Sequence, residues 1–444
     1  MKKSVKIKLA LCFILPFSAH SKADLLFEQD QLKMTHKNFY FYRDFRNGAF
    51  NPSGANKFVP NEDKEGYRSE WAQGLIINYD SGFHDLGGLQ FGADAYALAG
   101  LKLYSDPFKT GTNLLKIDSN GVADDYYAEI GGSIKLKLNQ TVLNYGNLFP
   151  NVPVLSVSTV RLLPSVATGV TLEDKSFKNL NINAGYFYRI NPVDSTEHLN
   201  YFTTDYGVGI KGDSVKYLGA HYKFDHGHVS AYLSEFDDVW TQTYLSAGLN
   251  KSVTSEQIAS FNTTVYSNQD RGQKLAGEID TTLASFMLGY QYQQQKFSVA
   301  YQQVFGDEPM DWVGFSTMGA NIWFANAAQF ATFSEANEKS IQAKYEIDLK
   351  SILPGLSFMG RYVYGWDMDN QKSKNQRYTS RHIYDPSIDN KHWERDLQLN
   401  YNVQSGFAKG LDIKLRQATH RATKGYRYND IDEIRMIFEY PWSF

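Results

Sequence analysis

The chain ends Ile434-Arg-Met-Ile-Phe-Glu-Tyr-Pro-Trp-Ser-Phe444. Ile434, Met436, Phe438, Tyr440, Trp442 and Phe444 share one parity and are all apolar or aromatic. Arg435, Glu439 and Ser443 share the other, and only Ile437 and Pro441 break the alternation. In a β-strand, period two sends the two parities to opposite faces. An apolar, aromatic face running to the C-terminus suits a strand whose outer side meets lipid, with its last ring in an interfacial girdle. A buried strand of a soluble protein is the competing reading of these residues alone.

The opposite end supplies an export signal. Lys2, Lys3, Lys6 and Lys8 precede a short apolar run, Leu9 to Phe17, and Ser21-Lys22-Ala23 has small residues where a signal peptidase needs them. Residues 1–23 are expected to be a cleaved signal peptide and 24–444 one transmembrane β-barrel domain. Leu11 before Cys12 does not suit a lipoprotein site. Cys12 is the only cysteine, so the mature chain has no disulfide or cysteine–metal chemistry. Cleavage also removes lysines and no acids, making the mature chain more acidic than the formal charge of −3. That balance gives no reason to expect nucleic-acid binding.

A mean hydropathy of −0.43 looks soluble. The mature chain has no run of 18 apolar residues, which excludes membrane-spanning helices. Yet aromatics make up 15% of the chain, with 30 Tyr and 29 Phe. A membrane barrel reconciles these facts, because its lumen is polar, its outside apolar and its rims aromatic. Closure also gives every backbone donor and acceptor a partner inside the protein.

Alternation recurs along the chain, at Ile341 to Asp348, Leu356 to Tyr364, Leu397 to Val403 and Leu411 to Arg416. Less regular strands are expected from Leu75, Leu89, Ile130, Ile182, Leu218, Val229, Phe286 and Phe297. Short turns at 349–355 and 404–410 contrast with long connections at 305–339, 365–396 and 417–433, the asymmetry of an outer-membrane barrel. The length allows about 16–20 strands at roughly 20–25 residues per strand and connection. No composition shift marks a second domain.

Parity also aims the charges. Arg361, Lys414, Arg416 and Arg435 lie opposite in phase to the apolar residues of their strands, so they face the lumen if the apolar set faces lipid. Cations at successive heights in a narrow low-dielectric tube attract anions and pass them on. Arginine binds carboxylates with a planar fork and keeps its charge. Paired with lumen acids, the same residues would only solvate the wall.

The chain resembles the OprD family of outer-membrane carboxylate channels of Gram-negative bacteria. The matching segments include Asn38-Phe-Tyr-Phe-Tyr-Arg-Asp44, Glu70-Trp-Ala-Gln-Gly74, Ser81-Gly-Phe83 and Phe91-Gly-Ala-Asp-Ala95. Further on come Leu98-Ala-Gly-Leu-Lys-Leu103, Arg161-Leu-Leu-Pro164, Tyr301-Gln-Gln-Val-Phe-Gly-Asp-Glu-Pro309, Val403-Gln-Ser-Gly406 and Arg416-Gln-Ala-Thr-His-Arg421. Their order and spacing carry the resemblance. It implies an antiparallel barrel of 18 strands, monomeric or a weak homotrimer, with extracellular loops folded inward into an eyelet.

The resemblance also implies a basic ladder through the pore, at Arg43, Arg68, Arg161, Arg361, Lys414, Arg416 and Arg435. Lys414 departs from the more usual arginine and loses the fork. Around Arg43 both parities are aromatic, so its direction is open. The constriction loop is expected within 306–330, with Asp307, Asp311, Trp312, Asn321 and Trp323 as candidates. Ala320 and Asn321 stand where relatives that take basic amino acids are acidic, which favours aromatic or uncharged-tailed carboxylates; packing of the rings against the wall explains them equally well.

The function implied is passive, selective uptake of small carboxylates, meaning aromatic or aliphatic acids and amino acids. A general diffusion porin with weak selectivity is the alternative. The implied partners are these solutes, outer-membrane lipid and lipopolysaccharide, and the barrel-assembly machinery reading Phe444. No enzyme, cofactor or metal is expected. The chain has no Gly-x-Ser-x-Gly elbow, and His226-Gly-His228 lacks a further ligand. A TonB-dependent transporter would need a longer chain with a plug.

Overall fold

A computed structural model describes residues 29–443. Eighteen strands build the wall: β1 (Gln31–Phe45), β2 (Tyr67–Asp80), β3 (Leu89–Ser105), β4 (Tyr126–Leu138), β5 (Thr141–Leu148), β6 (Val166–Asp174), β7 (Leu180–Asn191), β8 (Val215–Phe224), β9 (Gly227–Phe236), β10 (Trp240–Thr254), β11 (Gln257–Asp270), β12 (Asp280–Tyr292), β13 (Gln295–Phe305), β14 (Lys339–Asp348), β15 (Leu356–Trp366), β16 (Lys391–Asn402), β17 (Asp412–Ala422) and β18 (Ile431–Ser443). Each pairs antiparallel with the next, and β18 pairs back onto β1 from Lys33↔Ser443 to Phe45↔Ile431. The sheet is therefore closed and presents no free edge.

Period two sorts the side chains as lipid and lumen require. Ile130, Ile134, Leu218, Leu233, Leu288, Val299 and Ile341 lie exposed on the outer face. Their neighbours on the same strands point inward. On β18, Ile434 and Met436 are outside, whereas Glu433, Arg435 and Ile437 are buried inside. The terminal Phe444 and residues 1–23 lie outside the described residues.

Connections alternate in length. At one end, 139–140, 225–226, 255–256 and 293–294 are two-residue turns, with Asn139 and Gln293 at φ 53° and 52°. At the other end, 46–66, 106–125, 149–165, 192–214, 306–338 and 367–390 are long, and 237–239 is a short exception. The structure differs from the sequence expectation at several strands: β5, β6, β10 and β11 fall where no strand is expected, β2 begins at Tyr67 rather than near Leu75, and two strand ends extend into expected loops. β16 begins at Lys391 and β17 runs to Ala422, inside stretches expected to be loop. There the outward side chains are Trp393, Arg395, Gln417 and Thr419, so pairing continues past the apolar belt that made the alternation visible. Trp393 stacks on Tyr362 at 5.5 Å, and Arg395 donates to Gln417 and Thr419.

Inside the wall, tyrosines lie over glycines of neighbouring strands. Tyr127 covers Gly100, Tyr217 covers Gly185 and Tyr232 covers Gly219, each glycine being the tyrosine's direct cross-strand partner. A side chain on these glycines would meet the ring, so the pairing fixes where each tyrosine lies.

The lumen is not an empty tube. Residues of the connections 149–165, 192–214 and 306–338 enter it and pack against one side. Val154, Leu155, Phe202, Tyr206, Trp312, Phe315 and Phe324 join inward-facing Phe187, Tyr217, Tyr244, Tyr266 and Val304 in one buried apolar cluster. Burying a side chain of this size stabilises the fold by about 1.5–3 kcal/mol. A second, smaller apolar cluster, with Phe39, Phe41, Ala72, Leu162, Leu163 and Ile437, lies on the β18, β1 and β2 side of the wall, among rows of inward charged groups.

Candidate functional site: a charged path across the barrel seam

Inward positions on neighbouring strands line up in rows. One row runs Arg361, Asp396, Ala418, Glu433, Arg43, Arg68, from β15 through β18 to β1 and β2. Two residues nearer the short-turn end, the next row reads Met359, Gln398, Arg416, Arg435, Phe41, Glu70. A third brings Asn400, Lys414, Ile437 and Phe39 together. Direct partners stand about 5 Å apart, and strand tilt makes each row climb obliquely around the wall.

The cations are held in distinct ways. Arg43 Nη2 lies 2.5 Å from Glu433 Oε2, and Arg435 Nε lies 2.6 Å from Glu433 Oε1. Arg361 binds Asp396 at 2.5 Å and donates to the Ala327 carbonyl at 2.7 Å. Lys414 lies 2.7 Å from Glu439, whose other oxygen is 3.1 Å from Lys37. Arg68 donates to Asn51, Ser53 and the Gly111 carbonyl, and makes no ion pair among the described residues. Arg161, from the connection 149–165, donates to the carbonyls of Thr112 and Val160. Burial, with Arg435 next in effect, pushes the Arg161 guanidinium well below its ordinary pKa. Arg416 Nε is buried with no hydrogen-bond partner among the described residues.

Phe41 organises the middle of this path. Its ring lies 5.3 Å from the Arg43 guanidinium, 5.4 Å from Arg161 and 5.1 Å from Arg435. The negative face of an aromatic ring partly offsets crowded cations without adding a competing carboxylate. The direction of Arg43 follows: Phe39, Phe41 and Phe45 are the buried parity of β1, and Arg43 shares it. On the short-turn side, a cavity of ≈420 Å³ is lined by Gln398, Asn400, Arg361, Arg416, Lys344 and Lys296 among others.

The tip of the 306–338 connection is fixed to the same wall by carboxylates. Glu394 accepts from the backbone N–H groups of Phe330 and Ala331 at 2.8 and 2.7 Å. Asp396 accepts from Gln329 N at 3.1 Å, and Glu433 from Gln329 Nε2 at 2.9 Å. Sequence reasoning missed Glu394, Asp396, Glu433, Glu439 and Lys37. For Glu433, Glu439 and Lys37 the signal was the inward parity of their strands; Glu394 and Asp396 lie in a strand segment that the sequence pattern hides. The expectation of an acid-poor eyelet looked only at the loop, whereas the wall supplies these acids.

The loop candidates separate. Asp311 does not face the path; it is buried and accepts from the backbone N–H groups of Asp205, Tyr206, Gly207 and Trp312. Burial nevertheless raises its carboxyl pKa. Trp312 lies in the apolar cluster, 5.5 Å from Tyr206. Asp307 accepts from Asn337 at 3.3 Å at the foot of the loop. Asn321 reaches Thr159 at 3.2 Å, joining two inward loops, and Trp323 is exposed. His228 stands 5.3 Å from His221, ring to ring, and the described residues contain no group of three or more metal-ligating side chains of the His, Cys, Asp and Glu types.

Comparison with known proteins adds a family match. The model for outer membrane porins of the OprD family matches residues 26–444. Porin D of Pseudomonas aeruginosa is 34% identical over 433 residues, covering 96% of this chain and 94% of its own. The crystal structure of OccK9 (OpdG) from the same organism superposes with a TM-score of 0.82 at 28% identity, over 94% of this chain and 99% of that one. OpdK of Pseudomonas aeruginosa, crystallised with vanillate, gives 0.80 at 27% identity, over 94% and 100%.

Proposed function

The chain belongs to the OprD family of outer membrane porins, and from that premise we propose that it selectively admits small carboxylates along the Arg68–Arg43–Arg435–Arg416–Arg361 path. It is an outer-membrane channel, not a member of an enzyme family. The observation that carries the finer reading is the charge balance around Phe41. Arg43 and Arg435 share one carboxylate, Glu433, while the neighbouring Arg161 and Arg416 make no ion pair among the described residues. A net positive, partly desolvated stretch lowers the cost of an anion there and raises that of a cation. The exposed Trp323 and the aromatic wall suit an aromatic or uncharged tail. A family neighbour crystallised with vanillate supports an aromatic acid among the solutes.

The same reading takes residues 1–23 as a cleaved signal and 24–444 as one barrel domain, monomeric or weakly trimeric. Lipid and lipopolysaccharide surround it, and the assembly machinery reads Phe444. The deciding experiment is uptake into proteoliposomes across carboxylates, amino acids and neutral sugars. A carboxylate channel admits benzoate well ahead of benzamide at low salt, and the preference shrinks as salt rises. Equal entry of the two replaces this reading with the general diffusion porin.

A further inference from the structure

We propose that Glu433 and Glu439 are resident exchange partners that set how tightly and how briefly a permeating carboxylate is held. This rests on the carboxylate reading above. The two glutamates repeat one arrangement on β18. Glu433 lies between two cations, Arg43 and Arg435, and Glu439 lies between two others, Lys37 and Lys414. In each case one oxygen serves each cation. In each case a single carboxylate is shared by two positive groups, so the pair is half neutralised.

A bare pair of cations in a partly desolvated wall would hold an anion too well to pass it on. Conduction needs binding that is favourable enough to enter and weak enough to leave. A resident carboxylate meets that need by competition. An incoming carboxylate takes one cation while the glutamate keeps the other. The glutamate's own oxygen then reclaims the released cation as the solute moves to the next position. The two glutamates are six residues apart, a separation of roughly 20 Å along an extended strand. Arg416, which makes no ion pair among the described residues, lies between them in height, so half-neutralised positions flank one cation without a carboxylate partner there.

The two sites differ in a way that grades the effect. The Glu433 side chain is 0% exposed, whereas that of Glu439 is 25% exposed. Water already competes at Glu439, so removing its charge acts more weakly there. Glu433 also accepts from Gln329 of the eyelet loop. A purely structural glutamate would give the opposite result when neutralised, because a loosened eyelet leaks neutral solute and binds anions less well.

The test measures concentration-dependent uptake of benzoate and benzamide by wild type, Glu433→Gln and Glu439→Gln in liposomes, after selecting heat-modifiable folded barrels. Half-saturation for benzoate should fall about fivefold or more in Glu433→Gln and about twofold in Glu439→Gln. Maximal benzoate flux should fall with it, and benzamide entry should be unchanged. If Glu433→Gln does not fold, Glu439→Gln decides alone. A wild type that discriminates, with half-saturation unchanged or raised in the folded variants, overturns the exchange role only. A wild type that does not discriminate overturns the carboxylate reading beneath it.

Discussion

Arg416 and Arg435 face each other as direct partners on β17 and β18, two like charges opposite one another in the sheet. Such a pair is destabilising unless an anion is supplied. Arg435 has Glu433, and Arg416 has no contacting carboxylate among the described residues. The expected outcome of Arg416→Ala is a folded barrel with benzoate uptake reduced roughly tenfold or more, since a charge-assisted contact is worth about 1.5–3 kcal/mol and each ~1.4 kcal/mol is tenfold. Benzamide uptake should change by less than about twofold, because its passage uses no charge. Liposome uptake of both solutes checks this.

The wall was more legible than what fills it. Ile434, Met436 and Leu415 announce lipid by strict alternation, and the same period aims Arg416 and Arg435 inward. Arg43 was not legible, because Phe39 and Phe41 make the inward parity of β1 as aromatic as Tyr40 and Tyr42 make the outward one. The strand segments 391–396 and 417–422 carry no strand signal in the sequence, because their outward residues leave the apolar belt. Burial of Asp311 and Trp312 was hidden for another reason. Their partners Tyr206 and Phe324 lie in connections with no period, where only the folded loops bring them together.

Asp311→Ala should loosen the loops without opening the barrel. The carboxylate serves four backbone N–H groups, and its removal leaves them buried and unsatisfied, at a cost of about 1–3 kcal/mol for each left without a partner. Limited proteolysis should cut within 203–207 faster than in wild type, while the heat-modifiable mobility of the wall stays unchanged.

The junction between these loops should also weaken as pH rises. Asp205 is pushed up to about 6, first by burial and then by the neighbouring Asp311 charge. An acid whose folded pKa is raised holds its proton better in the packed state. Its contribution is therefore complete below the ordinary aspartate value of about 3.9 and is lost as pH climbs through about 6. Protease susceptibility of 203–207 should rise across that window, and Asp205→Asn should flatten the dependence.

Gly219→Ala tests the tyrosine pairing. A Cβ there would fall onto the Cδ1 and Cγ atoms of the Tyr232 ring. The ring must leave the wall, an overpacking cost of about 1–3 kcal/mol. The unfolding temperature read from gel mobility should drop, and conductance should fall as the ring enters the lumen.

Deleting Phe444 should reduce the amount of heat-modifiable barrel in the outer membrane while leaving secretion intact. Cell fractionation with gel mobility checks it.

The contact between Arg43 and Glu433 joins residues 390 positions apart in the chain, across the pairing of the first and last strands. A contact of that span forms against nearly the full entropy of closing the polypeptide into a ring, and topologies ruled by such contacts assemble slowly. The proposed selective centre is thus built on the pairing that closes the sheet. A barrel without the β1–β18 pairing lacks the register that places Arg43 and Arg435 on one carboxylate, so this charged row exists only once the sheet is closed.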